Sequence, residues 1–167
     1  MKPAILKPAI LALAAVLPLC ATLAAAEDSL TRRGAYLARI MDCAGCHMPR
    51  DPTGVPIASA GLSGGTVGFE IPGMGIFWPP NLTPDASGLG GWSKDQIATA
   101  LRTGVRPDGR TLAPAMPWSS YAGLSNADMS ALVAYLVSLP PVAVERLEPV
   151  SEANEARAPF YRVVVPQ

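Results

Sequence analysis

The chain has 167 residues, with 13 basic side chains against 13 acidic ones, and half of its residues are hydrophobic. No basic stripe is left for nucleic acid, and no apolar run after residue 26 reaches the length of a membrane helix. The length suits one compact domain and hardly two.

The N-terminus reads as a secretory signal. Lys2 and Lys7 supply a positive n-region, Ala9 to Leu19 an apolar h-region too short for a membrane span, and Ala24-Ala25-Ala26 a small-residue cleavage site. Cleavage after Ala26 would remove Cys20 and leave two of the three cysteines, Cys43 and Cys46. Losing Lys2 and Lys7 leaves 11 basic residues against 13 acidic ones, a charge of −2. The mature chain is then soluble or peripheral on the exported side of a membrane, in the periplasm. Residues 27–141 are expected to form the domain, and residues 142–167 a C-terminal extension.

A first helix is predicted from Ser29 to Met41, with Leu30, Leu37, Ile40 and Met41 on its buried face. Gly34 inside it is a helix-weakening residue that invites close packing against another element. Directly after it comes Cys43-Ala44-Gly45-Cys46-His47. Two thiols three positions apart can each form a thioether to one former vinyl group of a porphyrin, and the adjacent imidazole can bind iron. Ala44 and Gly45 are small enough to let the backbone approach the haem edge. A structural zinc site needs four Cys or His ligands, and the chain has one histidine. A redox dithiol belongs beside a βαβ pattern, which is absent, and a disulfide here would close a very short loop for little stability. One covalently bound haem c is the expected cofactor.

Residues 48–91 are rich in Gly and Pro and lack helical periodicity, yet they carry Phe69, Ile71, Ile76, Phe77 and Trp78. Apolar side chains at that density need something to cover, so the segment is expected to wrap a cofactor, with room for a short hairpin near Phe69 to Trp78. A second helix follows, with Ser93 and Gln96 as a capping box, Ile97 and Leu101 on one face and Gly104 as its stop. Arg106-Pro107-Asp108-Gly109-Arg110 is a tight turn. Ser125 and Asp128 start a last helix, Met129, Leu132, Val133 and Leu136 form its apolar stripe, and Pro140-Pro141 ends it. The expected fold is all-α, three main helices joined by long Gly/Pro-rich loops that cover the haem.

With no second histidine, the far side of the iron is left to methionine or stays open. Met41 and Met48 are too near the motif to cross the ring, and Met129 lies on an apolar helix stripe. Met116, in Ala113-Pro114-Ala115-Met116-Pro117-Trp118, is the first choice because its flanking prolines restrict the backbone; Met74, between Gly73 and Gly75, is the second. The candidate cofactor-binding residues are therefore Cys43, Cys46, His47 and Met116, with His47 and Met116 as the metal ligands and no catalytic residue.

These features together resemble a known family. The motif at Cys43 to His47 and the Pro-Ala-Met-Pro run around Met116 are similar to class I cytochromes c. Pro80-Asn81-Leu82-Thr83-Pro84-Asp85, Gly88-Leu89-Gly90-Gly91-Trp92-Ser93, Gly104 to Arg110, and Tyr121 through Pro141 resemble more specifically the cytochrome subunits of periplasmic alcohol and aldehyde dehydrogenases. Those subunits typically carry three such modules, and this chain has one. The resemblance implies a dehydrogenase as electron donor and a respiratory acceptor as partners, and contacts of Trp92 and Asn81 with the haem propionates or the ligand loop.

Ligation by His and Met fills both axial positions, favours the ferrous state and makes a one-electron carrier of high potential. A haem enzyme or gas sensor with a displaceable Met116 is the competing function. Arg102, Arg106 and Arg110 can pair with propionates, line a docking surface or remain a solvated turn. In the tail, Phe160-Tyr161-Arg162-Val163-Val164-Val165 has strand propensity. It can lie on its own domain, fray or, the reading preferred here, serve partner docking.

Overall fold

The computed structural model describes residues 26–166. The expected signal sequence, apart from Ala26, lies outside these residues, as does Cys20.

Residues 26–40 are helical (α1). Asp42, in the left-handed region at φ 53°, turns the chain into the short helix α2, Cys43–His47. The later helices are α3 (Lys94–Thr103), α4 (Trp118–Tyr121) and α5 (Asn126–Ser138). Local sequence sets their ends. At α3 the Ser93 hydroxyl accepts from Gln96 N while the Gln96 side chain accepts from Ser93 N, and Gly104 closes the helix at φ 72°. Ser125 Oγ likewise accepts from Asp128 N at the start of α5.

The core lies where α1, α3 and α5 meet. Leu37 and Ala38, Ile97, and Met129, Leu132, Val133 and Leu136 are buried together, with Leu62 from the loop. The buried face of α1 differs from the one periodicity suggested. Gly34, Leu37 and Ala38 face the core, whereas Leu30 and Ile40 are exposed. Gly34 explains the rotation. A Cβ there would stand 2.0 Å from the Ala131 carbonyl oxygen and 2.6 Å from Tyr135 Cβ, so α1 crosses α5 with backbone almost touching backbone.

The all-α expectation is corrected by a sheet. Residues Gly68–Ile71 (β1) and Gly75–Phe77 (β2) form the anticipated antiparallel hairpin, and Phe160–Tyr161 (β3) adds a third strand parallel to β1. Three main helices are present, but alongside two short helices and this mixed sheet. The reason is the tail. Its aromatic pair supplies a strand, Tyr161 packs against Phe69 with ring centres 5.7 Å apart, and Arg162 pairs with Glu70. Pro159 O accepts hydrogen bonds from Gly68 N at 2.8 Å and Trp78 Nε1 at 3.1 Å. Val150 exchanges backbone hydrogen bonds with Ile76, at 2.8 and 3.1 Å, covering a side chain only 1% exposed. The extension thus lies on its own domain through Arg162, while Val163, Val164 and Val165 are exposed.

The Gly/Pro-rich stretch is ordered by hydrogen bonds to the motif and to itself. Gly64 N donates to His47 O at 2.8 Å, Gly65 N to Pro79 O at 2.9 Å and Leu82 N to Leu62 O at 2.9 Å. Its wrap brings residues 77–82 over one side of a large cavity.

Candidate functional site

That cavity has a volume of about 430 Å³, within the range of roughly 300–1,000 Å³ usual for cofactor and small-molecule sites. Each helix beyond the first contributes to its wall: Cys43, Cys46 and His47 from α2, Ile97 from α3, Tyr121 from α4, Leu132 and Leu136 from α5. Phe77, Trp78 and Leu82 come from the wrap, and Met116 from the loop between α3 and α4. The lining is largely apolar.

His47 is buried at the end of α2, 5% exposed, with Nδ1 2.8 Å from the carbonyl oxygen of Pro80. A carbonyl only accepts, so Nδ1 carries the proton and Nε2 keeps its lone pair. Burial holds the imidazole pKa below its ordinary value, and the Pro80 hydrogen bond pulls weakly the other way. The ring is neutral at neutral pH and preset as a donor to a metal. Cys43 and Cys46 form no disulfide with each other. Burial pushes the Cys43 thiol up to about 11, against the pull of a backbone hydrogen bond. Burial and the nearby Asp42 also raise Cys46.

The methionines separate cleanly. Met116 is half-buried and lines the cavity; Met74 sits in the β1–β2 turn, 53% exposed and outside the lining; Met129 is in the core. Met41, set aside because it is so close to the motif, also lines the cavity. Asn81 and Trp92 line it too, but the Asn81 amide is already used. It donates to Val142 O at 2.8 Å and Ser87 Oγ at 3.0 Å, and its Oδ1 accepts from Thr83 N at 2.8 Å. Trp92 packs against the core beneath the Arg106 guanidinium, 5.4 Å above its ring centre.

The three arginines also divide. Arg102 points away and ties α3 to the start of α5 through Leu124 O at 3.0 Å and Asn126 Oδ1 at 2.9 Å. Arg106 and Arg110 line the cavity. Sequence reasoning missed the Pro80 carbonyl on His47, the ring of Tyr121 and the tail residues Arg146, Leu147 and Pro149, all of which line the site. The tail positions carry no local signal; their place depends on where the chain returns after Pro141.

An apolar cavity of this size, bordered by two thiols and a buried neutral imidazole at one side and by guanidiniums elsewhere, fits a flat apolar macrocycle bearing vinyl and carboxylate groups. The cytochrome c family model matches residues 31–140 of the chain. The chain belongs to the cytochrome c family.

The cofactor of that family is covalently bound haem c, and the residues present fit it. Among relatives, the chain is 40% identical over 131 residues to the gluconate 2-dehydrogenase cytochrome c subunit of Pantoea cypripedii, covering 78% of this chain and 26% of that protein. It is 36% identical over 127 residues to the alcohol dehydrogenase (quinone) cytochrome c subunit of Gluconobacter oxydans, covering 74% and 24%. With the fructose dehydrogenase cytochrome subunit of Gluconobacter japonicus the identity is 38% over 119 residues, covering 70% and 23%. This cytochrome therefore spans about a quarter of the length of these relatives. By their names, these relatives are cytochrome subunits of dehydrogenases. Among the described residues no helix is long and apolar enough to cross a membrane.

Proposed function

We propose that the chain is a monohaem periplasmic cytochrome that takes single electrons from a partner dehydrogenase and passes them towards a respiratory acceptor. The haem is held through Cys43 and Cys46, with His47 and Met116 as iron ligands. The observation that carries this reading is the convergence of a tautomer-fixed, buried His47 and the loop methionine Met116 on the cavity that the two thiols border.

Haem c bound there supplies a one-electron couple. The chain's own residues do the rest. His47, oriented by Pro80, presents Nε2 in a fixed direction and is made a better donor by that hydrogen bond. Met116 is a soft neutral ligand that favours the reduced state. Phe77, Trp78, Leu132 and Leu136 exclude water, which disfavours the extra charge of ferric iron. With His47 and Met116 both binding the iron, no site would be left for substrate, and catalysis would belong to the partner.

Met116→Ala in the haem-loaded protein tests this. The variant should show a lower midpoint potential and rapid carbon monoxide binding when reduced, whereas the native protein should bind it slowly or not at all. Unchanged behaviour in the variant would move the ligand to another methionine, and Met41 is the remaining one on the cavity wall. Rapid binding by the native protein would favour a gas-binding or enzymatic haem instead.

A further inference from the structure

The family match ends at residue 140, but the cavity wall continues past it. After Pro141 the chain turns back over the site on a line of hydrogen bonds. Val142 N donates to Thr83 Oγ1 at 3.1 Å, Val142 O accepts from Asn81, and Val144 N donates to Ser87 Oγ at 3.3 Å. These bonds deliver Arg146 to the wall beside Arg106 and Arg110.

Three guanidiniums then meet at one apolar cavity, and their acidic neighbours are largely taken. Asp108 is hydrogen-bonded to Arg110 at 2.9 and 3.0 Å, and Glu148 lies 3.1 Å from Arg146 Nε. Arg106 is the least satisfied of the three. Its side chain is 15% exposed, and Nε is buried without a hydrogen-bond partner; the Asp108 carboxylate, 3.4 Å away, is out of alignment. Burial, together with the charges of Arg146 and Arg110, holds the Arg106 pKa below its usual value even though Asp108 opposes the shift. Asp108 and Glu148 supply two negative charges to this cluster of three positive ones, which leaves one positive charge in excess and Arg106 Nε buried without a hydrogen bond. An anion on the edge of an otherwise apolar ligand meets both demands.

We propose that Arg146, carried in by the C-terminal segment, works with Arg106 to hold the carboxylate edge of the cofactor, so that residues 142–162 close and tune the haem site. This rests on the haem reading above. Arg146 is a positioning residue. Its positive charge at the cavity wall opposes the added charge of oxidised iron and raises the midpoint potential, by an amount reduced by its pairing with Glu148 and its 34% exposure. Arg106 is held by Trp92 and the turn, whereas Arg146 is held by its pairing with Glu148 and by the bonds of Val142 to Asn81 and Thr83 that place the tail. The tail thereby becomes part of the redox site.

The haem-loaded full chain carrying Arg146→Lys, Arg146→Gln or Arg146→Glu decides the point. Midpoint potentials are measured at neutral pH, with hydrogen exchange over residues 142–162 followed on the same samples. Potentials should follow charge: Lys near native, Gln lower, Glu lowest. For Gln the reduced-to-oxidised ratio at a fixed potential should fall about three- to tenfold, equivalent to roughly 30–60 mV at 59 mV per tenfold change. Native potentials in Gln and Glu would overturn the proposal. So would an equal shift in all three variants that accompanies lost protection of the tail, because that marks a purely structural segment. A pyridine haemochrome spectrum separates the two readings. Native protein without covalent haem defeats the electron-carrier reading, whereas covalent haem with potentials indifferent to charge defeats this inference alone.

Discussion

Gly34→Ala adds one methyl group at the point where α1 crosses α5. On helix propensity alone it would stabilise the protein, because Ala is favoured over Gly inside a helix by about 1 kcal/mol. The structure reverses the sign. The new Cβ would stand 2.0 Å from the Ala131 carbonyl oxygen and 2.6 Å from Tyr135 Cβ. The obstacle is the backbone of α5, which has no rotamer to change, so the helices must part by about an ångström to reach ordinary contact. Overpacking of that kind costs typically 1–3 kcal/mol, and this site lies at the upper end because backbone must move. After the propensity gain, a net loss of about 1–2 kcal/mol remains. At about 3–4 °C per kcal/mol for a domain near this size, the melting temperature should fall by roughly 3–8 °C. Gly91→Ala is the control, since a Cβ there meets nothing within 4 Å and Gly91 is not among the residues with positive φ. It should be neutral or slightly stabilising. Thermal unfolding of the haem-loaded proteins by circular dichroism measures both. A Gly34→Ala variant as stable as the native protein would refute the argument that this crossing has no room.

Asn81→Ala should destabilise the domain by about 2–3 kcal/mol in urea unfolding, because Thr83 N and Val142 O lose a buried partner together. The same variant should raise hydrogen exchange around Val142 first. Asp108 should titrate at about 2, held low chiefly by its hydrogen bond from the Arg110 side chain. Since the folded pKa is depressed, that contribution is present above the ordinary carboxylate value of 3.8 and is lost as pH falls through about 2. Carboxyl NMR of Arg110→Ala should show Asp108 titrating closer to 3.8. Removing residues 143–167 should expose Ile76 and leave Gly68 N and Trp78 Nε1 without the Pro159 carbonyl. The melting temperature should fall and tryptophan fluorescence should shift to the red; an unchanged spectrum would mean the tail does not cover Trp78.

The chemistry of this protein is legible in short stretches of chain. Cys43 to His47 announces a haem because covalent attachment and iron ligation are made by side chains within five positions. The ends of α3 and α5 are equally legible, since Ser93 with Gln96 and Ser125 with Asp128 satisfy orphan amides three residues away. The single histidine likewise restricted the second ligand to a short set of methionines. Other features depend on contacts that no local pattern encodes. Periodicity placed Ile40 in the core, but the close approach at Gly34 turns α1 so that Ile40 is 58% exposed. Glu70 pairs with Arg162 across 92 residues, so the local hairpin of β1 and β2 becomes a three-stranded sheet only when the tail returns. The proton on His47 is decided by Pro80, 33 residues on, and the place of Arg146 by hydrogen bonds from Asn81 and Thr83. Sequence alone determined which cofactor the chain can carry, because bonding to it is local. Tertiary structure decided how that cofactor is enclosed and which charges face it, because burial and Coulomb interaction depend on distance in space.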